Sequence, residues 1–345
     1  MTNIEPALLH GGNLVAARQL FPDAPQPLID LSTGINPHSY PVPPLPPALF
    51  SRLPEPAVLD RLAATAAETY RAPSRDCVVP APGTQILLAP VAALVPPGTA
   101  AVLGPTYGEF ARAAALAGHH VIKVEDIEQL RGADLGVVAN PNNPDGRFLK
   151  THELLDLAHA RGDRGLLVID EAFMDVRPAD ASLSGEVARH NIVVLRSFGK
   201  FFGLAGLRLG FALARPQIAQ RLAAALGPWA VSGPAALIGQ TALADVAWAN
   251  ATRQRLEREA RRLDAVLAGR AGYIVGGTSL FRLLRTPAAG HLFHHLGRAG
   301  IFSRSFPEHA AWLRFGLPAD EASWERLGAA LADFSDWTHR EPFAP

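Results

Sequence analysis

From about residue 78 onward, short apolar runs alternate with longer stretches of helical spacing. The runs are Val78-Val79, Ala100 to Leu103, His120 to Val124, Leu135 to Ala139, Leu166 to Ile169 and Ile192 to Leu195. Between them, Gln85 to Leu94, Gly108 to Ala117 and His152 to Arg161 read as helices. This alternation predicts an open, largely parallel sheet covered by helices on both faces. Upstream, the spacing of Val58, Leu59, Leu62 and Ala66 predicts a helix over Pro56 to Arg71. Eight prolines between Pro37 and Pro56 predict an extended arm before it. Downstream, Ala247 to Leu267 is rich in Arg and Glu and reads as a long amphipathic helix. Strand-like pieces follow at Tyr273 to Val275, Ser279 to Leu284 and Trp312 to Phe315, with more helices, as in a smaller α+β unit. The expected organisation is an arm over 1–50, a large domain over 51–235 and a small domain over 236–345. No internal repeat is visible.

Composition narrows the function. At 345 residues, 48% of them hydrophobic and 19% charged, the chain can bury one large core and one smaller one. Lys and Arg total 32, and so do Asp and Glu, which argues against a broad nucleic-acid or anionic-membrane surface. A local anion pocket stays open. Cys77 stands alone, so neither an intramolecular disulfide nor a cysteine zinc site can form. No apolar stretch reaches the roughly 18 residues of a spanning helix. Met1 to Gly12 lacks the pattern of a secretory signal, and a cytoplasmic location is the expectation.

Four segments of the sheet region end in polar, turn-rich sequence, and open α/β sheets bind ligands beyond the carboxyl ends of their strands. In the first, Gly83 and Thr84 open a helix. Gly83 permits close backbone approach to an anion, Thr84 reads as an N-cap, and free N–H groups there suit a phosphate. The commoner meaning of such a pair is a plain cap. The second is Asn140-Pro141-Asn142-Asn143-Pro144-Asp145-Gly146, where two Asn-Pro steps hold amide groups at a strand end. The third runs from Leu166 through Ile169 into Asp170-Glu171-Ala172-Phe173. Buried carboxylates need a cation or hydrogen bonds, so a structural ion pair competes here with a catalytic role. The fourth holds Arg196-Ser197-Phe198-Gly199-Lys200 and then Gly206-Leu207-Arg208. A lysine among Phe198, Phe201 and Phe202 can have its amine desolvated and so made nucleophilic. Ser197 and Arg208 supply the hydroxyl and guanidinium expected around a phosphate.

Together these motifs resemble the fold-type I pyridoxal-phosphate (PLP) enzymes of the aminotransferase class I/II superfamily, over nearly the whole chain. The resemblance implies an α/β fold, with a large domain around a mostly parallel seven-stranded sheet and a smaller C-terminal α+β domain. It implies that Lys200 binds PLP covalently and that Asp170 pairs with the protonated pyridine nitrogen. It implies Asn143 on the phenolic oxygen, Tyr107 on the ring face, and Gly83, Thr84, Ser197 and Arg208 on the phosphate. Arg314 would take the substrate's α-carboxylate. Two positions depart from the pattern. Phe173 stands where many members have a tyrosine that also contacts the phenolic oxygen. Leu53 stands where relatives often have a tyrosine reaching the cofactor phosphate across a homodimer.

The N-terminal arm discriminates among branches. His10-Gly11-Gly12-Asn13 and Asp30-Leu31-Ser32-Thr33-Gly34-Ile35-Asn36-Pro37 resemble the branch that decarboxylates L-threonine O-3-phosphate for cobalamin biosynthesis. The aspartate motif ending in Phe173, Gly227 to Ser232 and Ile301 to Ser305 resemble it too. That resemblance implies substrate binding by His10, Gly11, Gly34 through its backbone, Asn143, Arg304 and Arg314, with a phosphorylated amino acid as substrate. PLP alone leaves the reaction open, because the bond that breaks is the one held perpendicular to its ring. The neighbouring branch, histidinol-phosphate aminotransferase, shares the PLP residues and is the alternative. A regulatory module on the same fold is a third reading, against which the intact Lys200, Asp170, Asn143 and Arg208 argue. His291, His294 and His295 have a spacing compatible with a metal, but a solvated or capping role is expected of them and no metal is. Arg253 to Arg262, interleaved with Glu257 and Glu259, reads as a salt-bridged solvent face.

Overall fold

The apolar runs become the strands of one seven-stranded sheet: β1 (Val78–Ala81), β2 (Thr99–Leu103), β3 (His120–Val124), β4 (Leu135–Ala139), β5 (Leu166–Asp170), β6 (Ile192–Ser197) and β7 (Gly210–Ala214). The computed structural model describes residues 11–163, 165–269 and 272–340. The order across the sheet is β1-β7-β6-β5-β4-β2-β3. The strands from β2 to β6 run parallel, and β7 runs antiparallel to both of its neighbours. β7 is the strand that apolar runs alone did not single out: its Gly-Phe-Ala-Leu-Ala sequence continues a glycine-rich loop. The central strands are buried on both faces, as parallel strands under helices must be.

Alternation along β5 and β6 divides the sheet into two faces. Asp170 pairs in register with Leu195, so Asp170, Leu195 and Ser197 share one face. That face carries Val168, Val193, Ala212 and Ala214 against Leu88, Val91, Phe110 and Leu222. Glu171 and Arg196 fall on the other face, where Arg196 Nη1 donates to Glu171 Oε2 at 2.8 Å and Nη2 pairs with Asp175. All three side chains are buried. Burial opposes the charge on Arg196, but Asp175 and Glu171 outweigh it and raise the guanidinium pKa. Glu171 is raised by burial, against which Arg196, the Ser182 hydroxyl and the Leu183 N–H work. Arg196 also lies over the Tyr70 ring, 4.3 Å from its centroid.

Two compact units divide the chain: 39–251, which holds this sheet, and 1–38 joined with 252–345. The units thus divide at 38/39 and 251/252 rather than at 50/51 and 235/236. Packing explains the extent of the first. Helix Gly233–Ala244 lies along helix Pro56–Tyr70, and Gly233 meets the Leu49 backbone. Tyr40 stacks edge-on to Trp248, with ring centroids 5.0 Å apart.

The second unit stitches the N-terminal segment to the C-terminal one. Ile29–Asp30 pairs in parallel with Ile301–Phe302. Leu31 donates to the Phe302 carbonyl at 2.8 Å and accepts from Gly316 N–H at 2.7 Å. A four-stranded antiparallel sheet runs in the order Arg304–Ser305, Trp312–Gly316, Phe281–Arg285, Tyr273–Thr278. The long helix spans Val246–Leu267 and forms the expected charged face, with Arg255 Nε on Glu259 at 2.9 Å. His295 caps the Ala330 carbonyl at 2.9 Å. Among the described residues no helix is long and apolar enough to cross a membrane.

Removing one member of a buried ion cluster strands the others without a countercharge. Arg196→Met is therefore expected to lower the stability of the cofactor-free protein by about 3–5 kcal/mol, read from urea unfolding. A loss below about 1 kcal/mol would mean that the cluster does not depend on the Arg196 charge.

Candidate active site

Within unit 39–251, the residues singled out in the sequence gather at the carboxyl ends of neighbouring strands. Asn143 follows β4, Asp170 ends β5, Ser197 ends β6, and Lys200 lies one turn on, in the short helix Phe198–Phe201. The residues expected to hold a phosphate converge through register. Ser197 pairs with Gly210, and Gly210 pairs with Ala81 at the end of β1. A Cβ on Gly210 would stand 2.8 Å from the Thr84 nitrogen, so only glycine lets β7 start against the 83–84 turn. Gly83 has φ +87°, and a Cβ there would stand 2.8 Å from Arg208 Nη2. The space beside the guanidinium is thus kept clear by a residue in a backbone region that favours glycine. Arg208 itself has φ +54° and donates to the Ala205 carbonyl at 3.2 Å.

Thr84 is not the N-cap that the sequence predicts. It is the first residue of a 3₁₀ turn over Thr84–Leu87, with Gly83 at the cap position and no side-chain capping bond. The positive φ of Gly83 turns the chain before Thr84 can occupy the cap.

The two carboxylates after β5 separate. Glu171 takes the structural ion pair with Arg196. Asp170 accepts one hydrogen bond from Ala172 N–H at 3.2 Å. Burial pushes the Asp170 carboxyl up to about 7; the Ala172 N–H and the charge of Lys200 oppose this, and Glu171 adds to it. The Lys200 amine lies over the Phe173 ring, 5.8 Å from its centroid. Phe173 is buried and presents carbon where a tyrosine would present a hydroxyl. Tyr107 is held edge-on to Phe110 at 5.6 Å, and its hydroxyl donates to Gln85 Oε1 at 3.1 Å. Gln85 in turn donates to Glu109 at 2.8 Å. Gln85 was not among the residues singled out; its place directly after Thr84 was the only signal.

These residues fit the cofactor that the motifs imply. A cradle beside Arg208 that a Cβ would fill suits a phosphate. A strand-end carboxyl held near neutrality suits a ring nitrogen that brings its own proton.

The other unit holds a second group. His10 lies outside the described residues. A Cβ on Gly11 would meet the Ser32 carbonyl oxygen, to which Arg314 Nη2 donates at 2.8 Å. Ser32 Oγ also accepts from Gly12 N–H at 2.8 Å and donates to Asp30. Gly34 is buried two residues further on. Arg304 and Arg314 are direct partners across an antiparallel pair. Like charges so placed repel. Burial, then Arg304, push the Arg314 pKa down to about 9, against the pull of Asp30. Two neighbouring guanidiniums on one sheet suit a ligand with more than one anionic group. Ser32, the residue that joins Gly11 to Arg314, lies within the Asp30 to Pro37 motif.

Because folding raises the Asp170 pKa, the folded chain binds that proton more tightly than the unfolded chain. The stabilisation is present at low pH and is lost as pH rises through about 7. Without cofactor, wild type is expected to lose melting temperature between pH 5 and pH 8 relative to Asp170→Asn, read by calorimetry at both pH values. Parallel behaviour of the two proteins would contradict this.

The profile of the family aminotransferase class I and II matches residues 50–327. A threonine-phosphate decarboxylase of Pseudomonas aeruginosa is 42% identical over 96% of this chain and 99% of its own length. One of a Sinorhizobium species is also 42% identical, over 94% of this chain and 98% of its own. Among solved structures, a histidinol-phosphate aminotransferase of Sinorhizobium meliloti in complex with pyridoxal-5'-phosphate superposes with a TM-score of 0.82. It is 20% identical and covers 98% of this chain and 99% of that one, a likeness of fold. With a family match over most of its length and relatives of this identity, the chain belongs to the class I and II aminotransferases.

Proposed function

We propose that the chain decarboxylates L-threonine O-3-phosphate to (R)-1-amino-2-propanol O-2-phosphate and carbon dioxide, using PLP, in the supply of the cobalamin linker. The observation that carries this reading is near-complete coverage, at 42% identity, by two relatives named for that activity. The cross-strand pair Arg304 and Arg314 supports it, because the substrate carries both a phosphate and a carboxylate.

The residues divide the work. Lys200 holds the cofactor covalently, and Gly83, Thr84, Ser197 and Arg208 hold its phosphate. Tyr107 covers the ring face and Asn143 binds the phenolic oxygen. Asp170 would hold the ring nitrogen, whose positive charge would draw the carboxyl down, and the carboxylate would keep that nitrogen protonated. Bound PLP supplies an electron sink for the pair left on the substrate's α carbon. Arg314 binds the α-carboxylate, while Arg304, His10 and the backbones of Gly11 and Gly34 anchor the phosphate. That second anchor orients the carboxylate for departure in place of the α hydrogen. Once the substrate's amine has displaced the Lys200 amine from the cofactor, that freed amine would deliver a proton to the α carbon in place of the departing carbon dioxide. Phe173 gives Lys200 an apolar face and adds no competing acid.

The same reading includes a homodimer in the cytoplasm. Phe50 (71% exposed), Leu53 (65%) and Trp229 (53%) put large apolar side chains on the surface of unit 39–251, which suits a second copy. Sedimentation equilibrium tests the dimer, and a monomer at micromolar concentration would contradict it.

PLP-loaded protein given L-threonine O-3-phosphate is expected to release carbon dioxide and the amine phosphate in equal amounts. Lys200→Ala is expected to lose at least about a thousandfold in rate. Arg304→Ala is expected to raise KM about tenfold or more, with a smaller change in kcat. Amino transfer from histidinol phosphate to 2-oxoglutarate, with no carbon dioxide, would overturn the proposal in favour of the aminotransferase.

A further inference from the structure

Asn142 directly precedes Asn143 of the candidate site. It is fully buried. Its carboxamide uses its oxygen and both hydrogens. Oδ1 accepts from Thr106 Oγ1 at 2.7 Å. Nδ2 donates to the Pro105 carbonyl at 2.9 Å and to Asp145 Oδ1 at 2.8 Å. Its backbone N–H donates to the Arg147 carbonyl at 2.8 Å, and its carbonyl accepts from Gly146 N–H at 2.9 Å. Arg147 closes the ring, with its N–H on Asp145 Oδ1 at 3.0 Å and its Nη2 on the Gly104 carbonyl at 3.1 Å.

These bonds join two loops that leave adjacent parallel strands, β2 and β4. The loop after β2 carries Tyr107, one residue beyond Thr106. The loop after β4 carries Asn143, one residue beyond Asn142. Each clamp residue is thus linked by a single peptide to a residue that faces the cofactor ring in the proposed function. A satisfied, buried side-chain network rigidifies what it joins.

We propose that Asn142, through Thr106, is a positioning residue that fixes Tyr107 and Asn143 relative to each other, so that ring face and ring oxygen are bound as one preformed unit. This inference rests on the PLP reading above. Loss of the Thr106 hydroxyl leaves a buried amide oxygen without its donor, a deficit the two loops relieve by moving apart. The cost then falls on cofactor binding, because Tyr107 and Asn143 must be brought back into place when the ring binds.

The test titrates cofactor-free protein with PLP and reads the dissociation constant by absorbance, alongside the melting temperature of the cofactor-free protein. Thr106→Val keeps the shape of the side chain and removes the bond; Thr106→Ser keeps the bond. Thr106→Val is expected to raise the dissociation constant about tenfold, and Thr106→Ser to stay within about twofold of wild type. In a Tyr107→Leu background, Thr106→Val is expected to add much less, because the clamp then has lost the residue it positions. Asn142→Ala is expected to exceed Thr106→Val; should it fail to fold, the Thr106 series decides. A lower melting temperature with an unchanged dissociation constant would overturn the inference and leave a loop staple. So would a full tenfold effect in the Tyr107→Leu background. Failure of wild type itself to bind PLP would instead overturn the cofactor reading on which the inference rests.

Discussion

The site depends on two consecutive carboxylates at the end of one buried strand. A strand sends adjacent side chains to opposite faces, so Asp170 and Glu171 cannot share a partner. Arg196, one residue past the in-register partner of Asp170, meets Glu171 and Asp175 on the far face. With that cation committed, Asp170 is left on the near face with one N–H bond and the nearby charge of Lys200. Its carboxyl rises to about 7. A site built this way favours a ligand that carries a proton to it. The ion cluster behind the sheet and the acidity of the site in front of it are one arrangement.

Close backbone approaches draw together the other residues of that unit that are proposed to hold a phosphate. Gly210 lets β7 begin against the 83–84 turn, and Gly83 leaves the Arg208 guanidinium its room. Ser197 reaches the same place because it pairs with Gly210. In the other unit a different economy holds. Asp30 and Ser32 tie the N-terminal segment down, and the Ser32 carbonyl accepts from Arg314. Arg304 stands across from Arg314. A buried arginine beside another arginine resists its own charge, and an anionic ligand relieves that resistance.

Much of this was legible in the sequence, for physical reasons that differ by element. Central parallel strands need apolar cover on both faces, so β2, β4, β5 and β6 announce themselves as uninterrupted apolar runs. β7 is equally apolar over Phe211 to Ala214, but it directly continues the glycine-rich stretch after Lys200, which masks its start. The PLP-type residues could be placed because each ends a strand or follows one. The division of labour between Asp170 and Glu171 could not, since it depends on which face Arg196 occupies. Thr84 is not a cap because the conformation of Gly83, not the hydroxyl of Thr84, sets the turn. Asn142, Gln85 and Ser32 are not legible because the bonds they make, with Thr106, Tyr107 and Arg314, join segments far apart in the sequence. Single-sequence motifs mark residues that touch chemistry more readily than residues that hold them.

Burial keeps the Asp170 carboxyl protonated below about pH 7, and the positive charge of a cationic ring at the site would make it release that proton to solvent. Infrared difference spectra of wild type minus Asp170→Asn read that proton directly, through the stretch of a protonated carboxyl. At pH 6, below the value of about 7 that burial imposes, cofactor-free protein should show the protonated band. Addition of PLP should remove it. A band absent without cofactor, or one that persists after PLP binds, would contradict the account.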